Sequence, residues 1–341
     1  MESKVIDVHT HLYPPRYMEL MRKRCEPPMV VQRDNKDYLV ILPEEEKEDH
    51  GGRSGRLMDD SYWSPKVKLE FMDRSGIDVS VLSLANPWLD FLPAEDAVQW
   101  AVDVNDDFER IGAASDGRLF ALGTLPTPAG ADACVTEVKR ISKLPHIRGI
   151  ILSTQGLGKG TDDPRMDAVW KTLIELDLAV FVHPHYGVGN EHYAAYGHSL
   201  YLALGFTFET TVAAAKIAVS GVLDRFQGIK LVLAHGGGTV PFLAGRLDSC
   251  VAHDESIKQP QSKPSDALSR AIFDAVVYSD KVLRLVVDFA GDDSVVFGTD
   301  HPFSISEANT VLGTIDSVAE NDDKLRSALR GANAARLLRL Q

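Results

Sequence analysis

Two histidines one residue apart end the first apolar run of the chain. The run is VIDVHTH, and it carries His9 and His11. On a strand, residues two apart point to the same face, so both imidazoles would face one side. That geometry suits chelation of one metal ion. For this pair taken alone, two hydrogen-bonded core histidines are the alternative interpretation.

Three more side chains that can bind a metal ion lie where other apolar runs end and loops begin. VFVHPH carries His183, LVLAHG carries His235 and VFGTDHP carries Asp300. Histidine nitrogens and a carboxylate oxygen suit Zn²⁺, and an incompletely coordinated ion keeps a position for water or substrate. Four such coincidences at strand ends are hard to explain as core packing, so we expect a metal site there.

Eight short apolar runs predict the strands that position these side chains. They are VIDVH, VSVLSLA, RLFALGTLP, IRGIILST, LAVFVHP, IKLVLAHG, DAVVYS from Asp274 and SVVFGTD. Most are continuously apolar, which is typical of parallel strands covered on both faces. Helical segments lie between them, among them AGADACVTEVKRISKL and PKVKLEFMDRSG, in which Gly76 is a stop signal. The alternation predicts an α/β fold, a (β/α)8 TIM-type barrel, with an open doubly wound sheet as the competing architecture.

The connection after the first strand, about residues 12–64, is too long for an ordinary loop. It contains the acidic run EEEKED, which we expect to be solvated, followed by GGRSGR. Long insertions in compact domains are usually functional or mobile. We therefore expect one barrel domain over residues 1–341, with the insertion contributing to the mouth of the active site.

Charge and composition exclude several classes of partner. A net charge of −13 without a basic cluster disfavours nucleic acid and anionic lipid, whereas a small anionic molecule can still bind to arginines in a pocket. No apolar stretch approaches the roughly 20 residues of a membrane span, and the first residues lack a signal-peptide pattern. Three widely spaced cysteines fit a reducing compartment. We expect a cytoplasmic protein with no membrane partner.

Two other motifs suggest different chemistry and fail on inspection. HGGG at residues 235–238 resembles an esterase oxyanion segment, but the nearest match to G-x-S-x-G, GHSLY around Ser199, ends in Tyr201. GLGKG at residues 156–160 resembles a phosphate loop but lacks Ser or Thr after the lysine.

The histidines and the aspartate together resemble the metal-dependent amidohydrolase superfamily: HxH on the first strand, His on the fifth and sixth, Asp on the eighth. The fourth run ends in Ser153 and Thr154, with no lysine or glutamate to bridge a second metal, which favours a single-metal site. HTHLYPP, VFVHPHYG, LAHGGGTVPFLAGR and FGTDHPF resemble the non-oxidative decarboxylase branch related to aminocarboxymuconate semialdehyde decarboxylase. HTHLYPPRY, SLANPWLDFL, GIILSTQGLGKGTDDP and LALGFTFETT are similar to the isoorotate (uracil-5-carboxylate) decarboxylases.

The resemblance implies one Zn²⁺ and no organic cofactor. The implied metal ligands are His9, His11, His183 and Asp300. The reaction would convert uracil-5-carboxylate, a small planar anion, to uracil and CO2 in thymine and pyrimidine salvage, and homodimers are common in this branch. Alternatives are decarboxylation of aminocarboxymuconate semialdehyde or a hydroxybenzoate, hydrolysis of a lactone or amide, and a non-enzymatic metal-binding role.

Direct loss of CO2 from this ring would leave electrons in an in-plane orbital that the π system cannot delocalise. Protonating C5 first avoids that, and we assign Asp300 as the acid, with His235 as a hydrogen-bonding catalytic partner. An aspartate beside Zn²⁺ should be ionised, so we expect a zinc-acidified water to supply its proton as substrate binds.

Five further residues are implied as substrate contacts by the resemblance alone. They are Arg56, Asn86, Phe206, Phe303 and Arg246. A bidentate guanidinium matches a carboxylate, although Arg56 could also be solvated in its Gly-rich loop. The two phenylalanines, expected to flank the ring, could instead be ordinary core aromatics.

Overall fold

The computed structural model describes residues 4–41, 55–193, 196, 198–305 and 307–340. The run EEEKED and the rest of residues 42–54 lie outside this part of the chain.

Eleven strands occur in the described residues, and eight of them form one parallel sheet. The strands are β1 (Ile6–His11), β2 (Met29–Arg33), β3 (Lys36–Val40), β4 (Arg56–Met58), β5 (Val79–Ser83), β6 (Leu119–Gly123), β7 (Ile147–Ser153), β8 (Ala179–His183), β9 (Lys230–Leu233), β10 (Ile272–Asp274) and β11 (Val295–Val296). The large sheet has the order β1-β5-β6-β7-β8-β9-β10-β11. It closes where Thr10 pairs with His301 and where Val8 N–H donates to the Phe297 carbonyl at 3.0 Å. The predicted (β/α)8 barrel is confirmed, and the open sheet is wrong.

Helices surround the barrel. They are α1 (Pro15–Lys23), α2 (Pro65–Ser75), α3 (Ala94–Ala113), α4 (Ala131–Ile141), α5 (Asp167–Glu175), α6 (His198–Leu200), α7 (Phe206–Val219), α8 (Val222–Arg225), α9 (Val240–Ala252), α10 (Pro264–Leu268), α11 (Asp280–Ala290), α12 (Ala308–Val318), α13 (Asp323–Ser327) and α14 (Asn333–Leu338). Short π-helical segments, Tyr201–Gly205 and Ala328–Ala332, precede α7 and α14. Helix α2 ends at Gly76, whose φ of +65° is the left-handed cap that glycine favours.

The described part of the insertion forms α1 and a small antiparallel sheet of β2, β3 and β4. In this sheet Leu39 pairs with Arg56, which places the arginine on a short edge strand. The Arg56 guanidinium carbon lies 4.9 Å from the centre of the Phe303 ring, beyond the end of β11. The insertion therefore reaches the barrel face on which the strands end.

The apolar stretch Tyr201–Val219 corrects the expectation that no apolar stretch approaches the length of a membrane span. Among the described residues, this helical stretch of 19 residues has an 18-residue window with a mean hydropathy of 1.4. By length and composition alone, it could cross a membrane. Its apolar character has a simpler cause, because Ala214, Ile217 and Ala218 are buried in the core. Helix α7 also packs against α9 and α10.

Close approach between β1 and the segment after β11 depends on one glycine. A Cβ built on Gly298 would lie 2.6 Å from Cβ of His9, closer than packed carbon atoms approach. Absence of a side chain at Gly298 thus lets the last strand lie directly against the strand that carries the two predicted histidine ligands.

Candidate metal centre and active site

Four side chains from three places in the sequence converge at the C-terminal end of the barrel. His9 and His11 come from β1, His183 ends β8 and Asp300 follows β11. Their candidate ligand atoms lie within 4.8 Å of one another, and all four residues are buried. Nε2 of His9 and Nε2 of His11 are each 3.3 Å from Oδ1 of Asp300. The structure brings together the whole predicted ligand set.

The hydrogen bonds of the three imidazoles leave their Nε2 atoms free to bind a cation. Nδ1 of His9 lies 2.6 Å from Oδ2 of Asp274, and Nδ1 of His11 lies 3.0 Å from Oγ of Ser83. Nδ1 of His183 lies 2.8 Å from the carbonyl oxygen of Pro184.

Among the described residues, no hydrogen bond reaches the three Nε2 atoms or Oδ1 of Asp300. Buried polar atoms without a partner are costly. Four of them aimed at one point fit a single divalent cation, and nitrogen and carboxylate donors suit Zn²⁺ and related transition metals.

Burial and neighbouring charges set the protonation of these groups. Burial lowers the pKa of His11 to about 4 and holds that of His183 well below its usual range, so both rings are neutral donors at pH 7. Burial also opposes charge on His9, but Asp300 and Asp274 outweigh it and raise the pKa of His9 to about 10. A cation bound at Nε2 would take the place of that proton.

Asp300 is ionised despite its burial. Burial raises the pKa of its carboxyl group, but the positive charge of His9 and the close imidazoles of His11 and His235 hold that pKa well below its usual range. The carboxylate is therefore an available ligand.

His235 faces the second oxygen of Asp300. Its Nε2 lies 3.6 Å from Oδ2 of Asp300, whereas His9 and His11 face Oδ1. His235 opens a short 3-10 turn, with φ of +55°, and its buried Nδ1 has no hydrogen-bond partner among the described residues. This position fits a proton-exchanging partner of the carboxylate and lies outside the four-residue cluster.

Asp274 is a site residue that the sequence analysis missed. Besides the His9 imidazole, its carboxylate accepts the backbone N–H groups of His235 and Gly236, each at 2.9 Å, and of Val276 at 3.0 Å. The carboxylate fixes the tautomer of His9 and the turn that carries His235. The apolar run DAVVYS predicted a strand that begins at Asp274, whereas this residue ends β10, and a carboxylate at a strand end was the available signal.

A cavity of about 1120 Å³ opens beside the cluster. Four of the five implied substrate contacts line it, together with His183, His235 and Asp300: Arg56, Asn86, Phe206 and Phe303. The Phe303 ring centre is 5.3 Å from that of His11. Nδ2 of Asn86 donates to the His185 carbonyl at 2.7 Å, which leaves its Oδ1 as an acceptor. Tyr278, Glu307 and Thr310 also line the cavity and were not foreseen.

Arg246 corrects an expectation. It lies on α9, is exposed, and is absent from the residues that line the cavity of its own chain. Gly238 and Thr239, just before α9, line the cavity, whereas no residue of α9 does.

Comparison with known proteins places the chain in a family. A family model described as Amidohydrolase matches residues 6–340. The chain belongs to this amidohydrolase family. Within it, 2-amino-3-carboxymuconate-6-semialdehyde decarboxylase of Dictyostelium discoideum is 28% identical over 342 residues, covering 99% of this chain and 92% of that protein.

Two solved structures extend the comparison with this amidohydrolase. IDCase (isoorotate decarboxylase) of Metarhizium anisopliae is 37% identical with a TM-score of 0.92, over 99% of this chain and 97% of that one. A dihydroxybenzoic acid decarboxylase from Polaromonas sp. JS666, solved with manganese and 2-nitroresorcinol, shares the fold at 18% identity and a TM-score of 0.75, over 99% and 97% of the two chains. The predicted resemblance is confirmed, and the chain is a decarboxylase on a metal-dependent fold.

Replacing Asp274 by asparagine should weaken metal binding by about 10–100-fold, because the amide cannot accept from the His9 ring and three backbone N–H groups together. Competition with a chromophoric chelator measures the affinity. The exposed Asp266 on α10 supplies the control variant Asp266→Asn, which should bind metal as the wild type does. Equal affinities for Asp274→Asn and the wild type would contradict the role given to Asp274.

Proposed function

We propose that this decarboxylase converts uracil-5-carboxylate to uracil and CO2 in thymine and pyrimidine salvage, with one Zn²⁺ bound by His9, His11, His183 and Asp300. The observation that carries the proposal is the placement of Arg56, Asn86 and Phe303 around the cavity that contains Asp300. Likeness to IDCase along nearly the whole chain supports the same substrate.

Substrate recognition follows from the chemistry of the lining. Arg56 donates charge-assisted hydrogen bonds to the substrate carboxylate, and the nearby Phe303 ring packs against the pyrimidine, with Phe206 on the other side. Oδ1 of Asn86 accepts a ring N–H, because its NH2 group is engaged by the His185 carbonyl. We also propose that the insertion forms part of the mouth of a single barrel domain, since Gly55, Arg56 and Leu57 line the cavity.

Proton delivery falls to Asp300 and His235. The negative carboxylate of a bound substrate raises the pKa of Asp300, which lets Oδ2 take a proton from His235, 3.6 Å away. Asp300 then protonates C5, which becomes tetrahedral. Protonation leaves positive charge on the C6–N1 unit of the ring. The C–C bond to the carboxylate then breaks, its electron pair re-forms the C5=C6 double bond and neutralises that charge, and CO2 leaves while the proton stays on C5. When bound, the ion supplies positive charge that stabilises the anionic oxygens of the substrate.

Incubation of the purified protein with 5-carboxyuracil should release uracil and CO2, and chelation should abolish the reaction. Asp300→Asn should lose turnover by about 100-fold or more, since the amide cannot donate the proton. The metal content of this variant is measured in parallel, and the assay is run at saturating metal. Any remaining loss of turnover then reports the acid role of Asp300 and not the loss of a metal ligand. Normal turnover of metal-loaded Asp300→Asn would refute the assignment.

The same assay separates the alternatives. Turnover of aminocarboxymuconate semialdehyde or a hydroxybenzoate, with none of 5-carboxyuracil, would show that the protein is a decarboxylase with a different substrate. Release of an acid from a lactone without CO2 would indicate a hydrolase. Loading the chelated protein with Zn²⁺ or Mn²⁺ tests the identity of the metal.

Arg56→Ala should raise KM by about 10–100-fold, since hydrogen bonds to a charged group contribute about 1.5–3 kcal/mol. Steady-state kinetics with 5-carboxyuracil measure the change. Arg225→Ala, at a remote exposed ion pair with Asp167, is the control and should leave KM unchanged. An unchanged KM for Arg56→Ala would count against the contact.

We propose that the protein is a cytoplasmic homodimer. Large apolar side chains are exposed on two helices that pack together, Phe208 and Val212 on α7 and Phe242 on α9. Such a surface favours association with another chain. Arg246 is exposed on the same α9, so a contact between Arg246 and substrate would require a second copy. The described cysteines Cys25, Cys134 and Cys250 are free thiols, which supports a reducing compartment.

Sedimentation should give twice the chain mass of 37.4 kDa. Phe242→Asp should shift the protein toward the monomer by placing a charge in the apolar contact, whereas Val98→Asp, exposed on the distant α3, should not. A wild-type monomer at micromolar concentration would contradict the dimer.

A further inference from the structure

Lys68 is a fully buried lysine that the proposed reaction does not use. It lies in the first turn of α2, and its side chain has no solvent exposure. Lysine is almost never fully buried unless its ammonium group is paired. Its position in the interior therefore calls for specific partners.

The partners of Lys68 lie on both sides of the closure of the barrel. Its Nζ donates to Oγ1 of Thr10 on β1 at 2.6 Å. It also lies 2.6 Å from Nδ1 of His301 and donates to the His301 carbonyl at 3.3 Å. Helix α2 makes a second contact with His301. Phe71, one turn after Lys68, stacks on the His301 ring with 3.8 Å between the ring centres.

Lys68 bonds to β1 and to the segment after β11, and these two segments carry three of the four candidate metal ligands. Thr10 separates His9 from His11, and its side chain points to the opposite face of the strand. His301 directly follows Asp300. Between these elements, the His9 carbonyl accepts the Asp300 N–H at 2.7 Å, and the His301 carbonyl accepts the His11 N–H at 2.7 Å. We call this paired region, β1 with residues 297–301, the seam.

We propose that Lys68 is a positioning residue for the metal centre: by bonding to Thr10 and His301 from outside the barrel, it fixes the separation of His9 and His11 from Asp300. This inference rests on the proposed metal site. Lys68 contacts none of the four ligands and acts through the residues adjacent to them in sequence. A small change in the seam would alter three ligand positions at once.

Metal binding to the apo-protein tests the role of Lys68. The variant Lys68→Met keeps the length of the side chain and removes the donors. We expect it to bind Co²⁺ about 10–100-fold more weakly in chelator competition and to shift the visible absorption bands of the bound Co²⁺, which report ligand geometry. The control is Lys66→Met on the same helix, whose side chain is 86% exposed, and it should match the wild type.

A folded Lys68→Met with wild-type Co²⁺ affinity and spectrum would overturn the inference. If that variant does not fold, Thr10→Val decides, because valine suits a strand and removes the hydroxyl that accepts from Lys68 and itself donates to the His301 carbonyl at 3.1 Å, the same carbonyl that Lys68 bonds. Weaker Co²⁺ binding by Thr10→Val supports the role, and unchanged binding overturns it. A wild-type protein that binds no divalent cation would instead defeat the proposed function as a whole, whereas normal wild-type binding with unaltered variants removes only the role of Lys68.

Discussion

Each imidazole of the cluster can face inward because its other nitrogen is already bonded. Asp274, Ser83 and the Pro184 carbonyl hold the Nδ1 atoms of His9, His11 and His183. Without those bonds the rings could rotate and satisfy their nitrogens elsewhere, and the lone pairs would not meet. Orientation of three rings by three outer partners is therefore the constraint on which the ionised state of Asp300 and the proposed binding of a cation and of substrate depend.

Closure of the barrel converts distant sequence positions into one centre. Asp300 lies next to His9 only because the last strand pairs with the first, and Gly298 lets the two backbones approach without an intervening side chain. Asp7 adds a further tie, since its carboxylate accepts the Thr299 hydroxyl at 2.7 Å. The chemistry thus depends on a long-range contact that forms only when the whole fold is complete.

Strand-end histidines and Asp300 were predictable from the sequence because parallel strands open at one face, and a barrel is the economical way to close eight of them. Asp274 was not predicted as a site residue because an apolar run does not show where its strand ends. The predicted strand began two residues later than β10 does, which placed the Asp274 carboxylate at the beginning of the strand and not at its end. Lys68 escaped because PKVKLEFMDRSG has two alternating lysines, and only packing decides which is buried. Arg56, Asn86, Phe206 and Phe303 rested on resemblance, since no local pattern directs them to a cavity, and Arg246, which rested on the same resemblance, does not line the cavity of its own chain.

The edge strand that presents Arg56 belongs to a small sheet outside the barrel; in the described residues it is hydrogen-bonded to β3 and to none of the barrel strands that position the candidate metal ligands. In the proposed function, the substrate carboxylate and the cation are therefore bound by residues on two separate sheets. If Arg56 binds the substrate carboxylate as proposed, changes in the length or composition of the outer sheet would alter which acid binds without moving the candidate metal ligands, so related chains could acquire new substrates with the same catalytic centre.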